Sequence, residues 1–276
     1  MNRKVTAILT CFNRKEKTIT CLKTLTEGNQ EIDFSFIVVD DNSTDGTAEA
    51  VTSLGLNVTL LTGTGNLFWC GGMRYGIEYF LDSKPSDRDF CLLVNDDVVF
   101  KAHSIEKMFE RLADRTDTVV VGATCDDNGN FTYGLKKKEK WYKKNITKRI
   151  EPSEEIVVGE TCNANCVLIP NPILKAVGNM DAVYTHSLGD YDLGFRMTRA
   201  GYRLISSAEY VGVCNGNSVK GTWGDTSLSR KERLKKKESP KGSPFKEWWH
   251  FLYRNYGVGT AIKSSVNPYI KILLKK

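Results

Sequence analysis

Histidine is scarce in this chain, with three in 276 residues. An imidazole-based zinc centre is therefore a poor candidate, and the cysteines do not make up the shortage. All eight are scattered, at 11, 21, 70, 91, 125, 162, 166 and 214, and the nearest pair is spaced CxxxC. Several lie inside apolar runs, where a thiol packs as a small hydrophobe, so reduced thiols of a cytoplasmic protein are expected rather than a disulfide framework. No apolar run approaches the roughly 18 residues of a membrane span. The opening MNRKVTAILTCFNRKEK has no small-residue cleavage site, so the sequence predicts a chain that is not exported.

What is present excludes disorder and fibre. With 41% hydrophobic and 26% charged residues, the chain can bury one large core or two smaller ones. The net charge of +6 is concentrated in KKKEKWYKKNITKR (136–149), SRKERLKKKESPK (229–241) and the terminal LLKK. Such runs are either solvated faces or a surface for anionic lipid headgroups or a phosphorylated acceptor, each basic residue near such a membrane contributing ~1 kcal/mol. Nucleic acid is disfavoured, because apart from Trp141 and Tyr142 the runs lack interleaved aromatics and no recognition-helix pattern accompanies them.

Along the first half, apolar runs alternate with helical patterns. Strands are predicted at 5–9, 34–40, 57–61 and 89–95, and helices at 15–25, 47–54 and 73–81. The strands are apolar almost without interruption, which implies burial on both faces and a parallel sheet covered by helices, an α/β doubly wound unit. Ligands of such sheets gather outside the carboxyl ends of the strands. Three polar clusters fall there: TCFNR after the first strand, DDNSTDGT after the second and NDD (95–97) after the fourth. The paired acids Asp96 and Asp97 repel unless a cation or hydrogen-bond donors lie beside them, so a divalent metal or a sugar hydroxyl is one explanation. Capping of a helix from about Ser104 is the other.

AILTCFNR, IVVDDNSTDGT, GTGNLFWCGGMRYGI, LLVNDDVVF and GDYDLGFRMTRAGYRL stand in the order and rough spacing of the family 2 inverting glycosyltransferases, which have the GT-A fold. The resemblance spans about residues 4–215 and is nearest to the bacterial rhamnosyltransferase-like branch, where an RN lies in a C-terminal aromatic segment, here WWHFLYRNYG (248–257). It implies a GT-A catalytic domain over 1–215, divided into a nucleotide-binding half (1–100) and an acceptor and catalytic-base half (101–215). A basic linker and amphipathic helical extension would follow over 216–276.

The implied donor site takes in Thr10, Asn13, Asp40, Asp41, Asn66 and Asp96. Asp40 would bind the nucleotide base, Asn66 would lie beside the nucleotide, and Asp96 would meet ribose or sugar. Gly63, Gly65, Gly71 and Gly72 would let backbone approach a ligand closely, or form a loop and a loosely packed helix start. Ser43, Thr44 and Asp45 are expected to cap the following helix. Asp97 would coordinate Mg²⁺ or Mn²⁺ on the donor diphosphate. Two departures weaken the metal assignment: Asn95 replaces a common first acid, and VGVCNGNSVKG lacks a histidine that many relatives carry, leaving Asn215 or Asn217 as substitutes.

Asp190 matches the catalytic carboxylate, expected with Asp192 just before a helix. It would take the proton of the acceptor hydroxyl as that oxygen attacks the anomeric carbon. Asp192 and Arg196 lie at i and i+4, as structural partners. Asn163 and Asn165 are candidate sugar contacts, and Trp69, Trp141 and Trp223 could stack on sugar faces or fill core. Trp248, Trp249, Phe251, Leu252 and Tyr256 give the C-terminal helix an aromatic face for a membrane interface, for packing on the catalytic domain or for a homodimer.

The resemblance therefore implies a cytoplasmic enzyme, peripheral to the inner face of the cell membrane, that extends a surface polysaccharide on a glycan or lipid-linked acceptor. The first expected donor is dTDP-rhamnose, with UDP-hexose or galactofuranose donors, or an inactive sugar-nucleotide-binding subunit, as alternatives. A nucleotidyltransferase would carry a Gly-rich basic loop after the first strand, and TCFNRKEK is not one.

Overall fold

The computed structural model describes residues 3–139 and 146–274. Elements β1 (Arg3–Cys11), α1 (Lys15–Glu27), β2 (Ile32–Asp40), α2 (Thr47–Thr52), β3 (Val58–Thr62), α3 (Phe68–Asp82) and β4 (Phe90–Val94) alternate along the first third. They form a parallel sheet ordered β3-β2-β1-β4, as the apolar runs predict. In β1 the side chains divide between two layers. Val5, Ala7 and Leu9 meet α1, while Ile8 meets Met73 and Ile77 of α3. That two-sided burial is why no polar residue interrupts the run.

Helix α3 begins at Phe68, five residues before the predicted 73. Gly63 and Gly65 lie in the loop before it, and Gly71 and Gly72 in its first turns, as the loop and helix-start reading has them. A Cβ on Gly72 would lie 2.2 Å from Thr10 Oγ1, so the missing side chain lets α3 settle onto β1 and leaves no space for a ligand against that residue.

Beyond β4 the sheet continues through β5 (Val99–Phe100), α4 (Ser104–Leu112) and β6 (Thr118–Cys125). A smaller sheet follows from β7 (Leu135–Lys138), β8 (Thr147–Arg149) and β10 (Thr161–Cys162), with β9 (Val158–Gly159) before the last of these. Then come β11 (Cys166–Pro170), α5 (Asn171–Val177), α6 (Gly189–Arg199) and β12 (Arg203–Val213). Strand β11 runs antiparallel between β4 and β6, and this places Asn165 opposite Asn95, with Asn95 N–H donating to Asn165 O at 3.1 Å. Among the described residues all eight cysteines are buried free thiols.

Three helices close the chain: α7 (Arg230–Lys237), α8 (Phe245–Tyr256) and α9 (Val258–Leu274). Phe251 and Leu252 of α8 are fully buried and pack with Tyr184 and Phe195 of the preceding region, so the predicted aromatic face turns inward against it. No described helix is long and apolar enough to cross a membrane.

Candidate active site

At the carboxyl end of β4 the two acids of NDD are held by one cation that the sequence did not single out. Arg14, at the end of the β1 loop, donates Nη1 to Asp96 Oδ1 at 2.9 Å and Nη2 to Asp97 Oδ2 at 2.5 Å. Asp96 is buried, and its Oδ2 has no hydrogen-bond partner among the described residues. Burial pushes its carboxyl up to about 7, with Arg14 opposing the shift and Asp97 adding to it. Burial alone lowers the Arg14 guanidinium, but the two carboxylates outweigh it and raise the value. Asp97 Oδ1 accepts the Cys214 thiol at 3.4 Å, and burial followed by Asp97 pushes that thiol up to about 12.

Asn95 Oδ1 accepts the Trp69 indole N–H at 2.8 Å. Trp69, partly buried, thereby ties α3 to the acid turn. Asn215 is paired with Asp127, Nδ2 to Oδ2 at 2.7 Å, while Asn217 is exposed. Among the described residues no three His, Cys, Asp or Glu side chains cluster as a ready metal cage. Two adjacent carboxylates, one with an orphaned oxygen, still fit a hard cation that takes its remaining ligands from phosphate and water, as Mg²⁺ commonly does.

The loops after β1 and β2 are tied together. Asn13, at φ 51°, donates its N–H to Ser43 Oγ at 2.8 Å and accepts the Thr44 N–H at 2.7 Å. Asp40 is buried and accepts both the N–H and the hydroxyl of Ser43. Asp41 is engaged at both oxygens: Oδ1 takes the Gly65 N–H at 2.7 Å, and Oδ2 takes those of Leu67 and Phe68 at 2.9 and 3.2 Å. Its carboxylate thus shapes the turn before α3, in which Gly65 sits at φ +82° and exposes Asn66. Thr10 donates its hydroxyl to Val39 O at 3.1 Å, inside the sheet. Of the expected caps of α2, Asp45 alone serves, accepting the Thr47 N–H at 3.1 Å, while Ser43 and Thr44 serve the neighbouring loop.

Asp190 lies inside the first turn of α6 rather than before it. Its Oδ1 accepts its neighbour Tyr191 N–H at 2.8 Å and its Oδ2 accepts Ala164 N–H at 3.2 Å. The side chain sits deep but keeps part of its surface accessible. Burial pushes the carboxyl up to about 6, against the two N–H donors, Lys136 and Asn163. A chain of contacts joins it to the acid pair. Ala164 touches Asp190, its neighbour Asn165 pairs with Asn95 and with Cys214 (Nδ2 to Sγ, 3.4 Å), and Cys214 meets Asp97. The short segment 163–165 therefore carries both halves of the candidate site.

Asp192, fully buried, anchors the same helix. It pairs with Arg196 Nε at 3.0 Å, as the i, i+4 spacing predicts, and also accepts Asn255 Nδ2 at 3.1 Å, so the RN segment of α8 reaches the helix that bears Asp190. A cleft of about 740 Å³ is lined by Lys136, Lys148, Arg149 and Lys271 with Trp223 and Trp248, and Lys136 Nζ lies 5.5 Å from the ring of Tyr191 in α6. No carboxylate lies within 4.0 Å of these four cations among the described residues. Trp141 lies outside the described residues.

Solved structures share this architecture. A mannosyltransferase from Pyrobaculum calidifontis, solved with GDP-Man and Mn²⁺, superposes with a TM-score of 0.57 at 16% identity, covering 99% of this chain and 71% of that one. TarS residues 1–349 from S. aureus superpose at 0.58 and 14% identity, covering 98% and 81%. A second structure of that protein holds UDP-GlcNAc. The fold is therefore GT-A.

Residues 6–169 match the model of glycosyl transferase family 2, and the chain belongs to that family. It is a transferase. In Mycobacterium tuberculosis an N-acetylglucosaminyl-diphospho-decaprenol L-rhamnosyltransferase is 24% identical over 203 residues, a match that spans 64% of this chain and 66% of the relative's length.

Proposed function

We propose that this enzyme transfers a sugar, with inversion, from a nucleoside-diphosphate sugar to a lipid-linked or glycan acceptor, with dTDP-rhamnose as the donor. One observation carries the proposal: segment 163–165 bonds to Asp190 on one side and to the Asn95–Asp97 turn on the other. A base and a diphosphate-facing acid pair belong on the two sides of a reacting anomeric carbon. Asp190 takes the proton from the acceptor hydroxyl, the acceptor C–O bond forms, and the bond to the diphosphate breaks. Asp40, Asn13 and Asn66 face the nucleotide, Asp96 the ribose or sugar, and Asp97 would hold Mg²⁺ or Mn²⁺. Such a cation supplies charge stabilisation to the departing diphosphate. Thr10 and Asp41 support the loops that carry these groups.

Residues 1–100 form the donor half and 101–215 the acceptor half, with 216–276 as an extension docked on the second. The rhamnosyltransferase relative supports the donor and a diphospholipid acceptor. The four cleft cations, which have no carboxylate within 4.0 Å among the described residues, support an anionic acceptor, and Lys136 is the one that also acts on Asp190. The place of action is the cytoplasmic side of the cell membrane.

The test is a panel of dTDP-rhamnose, UDP-hexoses, GDP-mannose and UDP-galactofuranose, each with Mg²⁺, Mn²⁺ or EDTA, followed by NMR of the product anomer. Transfer from dTDP-rhamnose, lost in EDTA, with an inverted product is expected. Donor binding without hydrolysis or transfer from any sugar nucleotide would make the chain an inactive binding subunit, and a retained anomer would remove Asp190 as sole base.

A further inference from the structure

Helix α9 is inside out. An ordinary surface helix buries its large apolar side chains and shows polar ones to water. Here the buried side consists mostly of small residues, Thr260, Ala261 and Ser265 with Ile272, while Val258, Ile262, Val266, Ile270 and Leu274 recur every four residues on the outside. Those five are 56%, 57%, 45%, 48% and 77% exposed, and Leu273 between the last two is 55% exposed. Single exposed hydrophobes are normal, but a continuous stripe along a whole helix marks a surface that is covered in use.

Charge identifies the cover. Residues 229–276 hold 13 of the 39 Lys and Arg but three of the 33 Asp and Glu, a net of +10, whereas residues 1–228 hold the remaining 26 and 30, a net of −4. The basic helix α7 packs along the edge of the stripe, with Lys237 Nζ 5.4 Å from the Tyr269 ring and Glu238 bonded to its hydroxyl. Lys231, Lys235 and Lys236 of α7 are exposed. Two copies meeting on this face would bring two strongly basic segments together. An anionic bilayer meets both demands at once, taking the apolar side chains below its headgroups and the cations among them.

We propose that the outer face of α9, flanked by α7, docks this enzyme on an anionic lipid surface. The aromatic face of α8, which the sequence offers for that purpose, is instead the inner packing surface. The proposal does not rest on the donor or acceptor assigned above, because lipid binding is read without turnover.

The full chain is floated with vesicles of phosphatidylcholine alone and of phosphatidylcholine mixed equally with phosphatidylglycerol, and its oligomeric state is read by light scattering. We expect binding to the anionic vesicles and not to the neutral ones, from a monomer. The triple variant Ile262→Ser, Val266→Ser, Ile270→Ser should retain its thermal unfolding midpoint and lose at least about tenfold in partitioning. Should that variant misfold, Val266→Cys carrying an environment-sensitive dye reports the same contact, since the native thiols are buried. Its emission should shift to the blue with anionic vesicles only. Absence of binding, unaltered binding by a folded triple variant, or a dimer that the triple variant dissociates would each overturn the proposal.

Discussion

Asp190 owes its proposed role to where α6 begins. A carboxylate in the first turn is favoured by the helix dipole and by free N–H groups, which lower its pKa, yet burial wins and pushes it up to about 6. A base in that range is ionised at neutral pH and still holds a proton well once it takes one. Asp190 near 6 then shapes the acid side of kcat/KM, so activity should decline below about pH 6. Asp190→Asn should lower kcat by about 10²–10⁴-fold, leave donor affinity by calorimetry nearly unchanged, and remove that acid-side decline. Stability runs the other way. Because the folded-state value lies above the ordinary 3.8, this group's contribution declines as pH rises from about 4 to about 6. Asp97 and Asp190 were legible in the sequence as acids at a ligand edge and in a family motif. Arg14 was not, since its partners lie 82 and 83 residues away and nothing in TCFNR says which loop its guanidinium reaches. Asp41 read as a ligand group for the same reason, as a chain does not show that its oxygens are taken by Gly65, Leu67 and Phe68.

Strands β1 to β4 could be read from the sequence because burial on both faces writes an unbroken apolar run, and their connecting helices carry the helical spacing. The partner of a strand is written less plainly. CVLIP predicts burial for β11 but not its antiparallel place between β4 and β6, which is set by how the chain returns from the small sheet. The C-terminal hairpin shows a further case. Pro268 inside α9 has no N–H for the carbonyl of Ser264, four residues earlier, and the indole N–H of Trp248 takes that carbonyl at 3.1 Å instead. A Trp that reads as an interfacial anchor is thus the compensation for a proline on the next helix. Trp248→Phe should destabilise by about 1–3 kcal/mol in urea unfolding, since a partly buried carbonyl is left unpaired. In a Pro268→Ala background, where residue 268 regains its N–H, the same change should cost clearly less. A double-mutant cycle with no coupling between the two positions would separate the indole from the proline.

At the scale of the whole molecule, the C-terminal extension cannot be a detachable anchor, even though one face of it is built for another surface. Its inner side completes the core around α6: Phe251 is fully buried, stacks on Trp248 at 5.8 Å and meets Tyr191 edge-on at 6.2 Å. Asn255 bonds the buried Asp192, and Glu247 Oε2 accepts the Thr185 N–H at 3.3 Å, so polar groups in and just before α6 are satisfied from α8. Emptying the space of one buried Phe costs about 3–5 kcal/mol, and leaving a buried acceptor unpaired about 1–3 more. Against the 5–15 kcal/mol typical of a folded domain, roughly the whole margin is at stake. Removal of residues 243–276 should therefore abolish cooperative unfolding or lower its midpoint steeply, and should eliminate transfer even to a soluble acceptor. The stripe variant of α9, altered only on exposed positions, should keep both the midpoint and the soluble-acceptor rate while losing vesicles. Circular dichroism melts of the two proteins side by side separate the roles: a truncated chain as stable as the full one would mean that α8 merely rests on α6, and that the route from its RN segment to the position of Asp190 carries no structural weight.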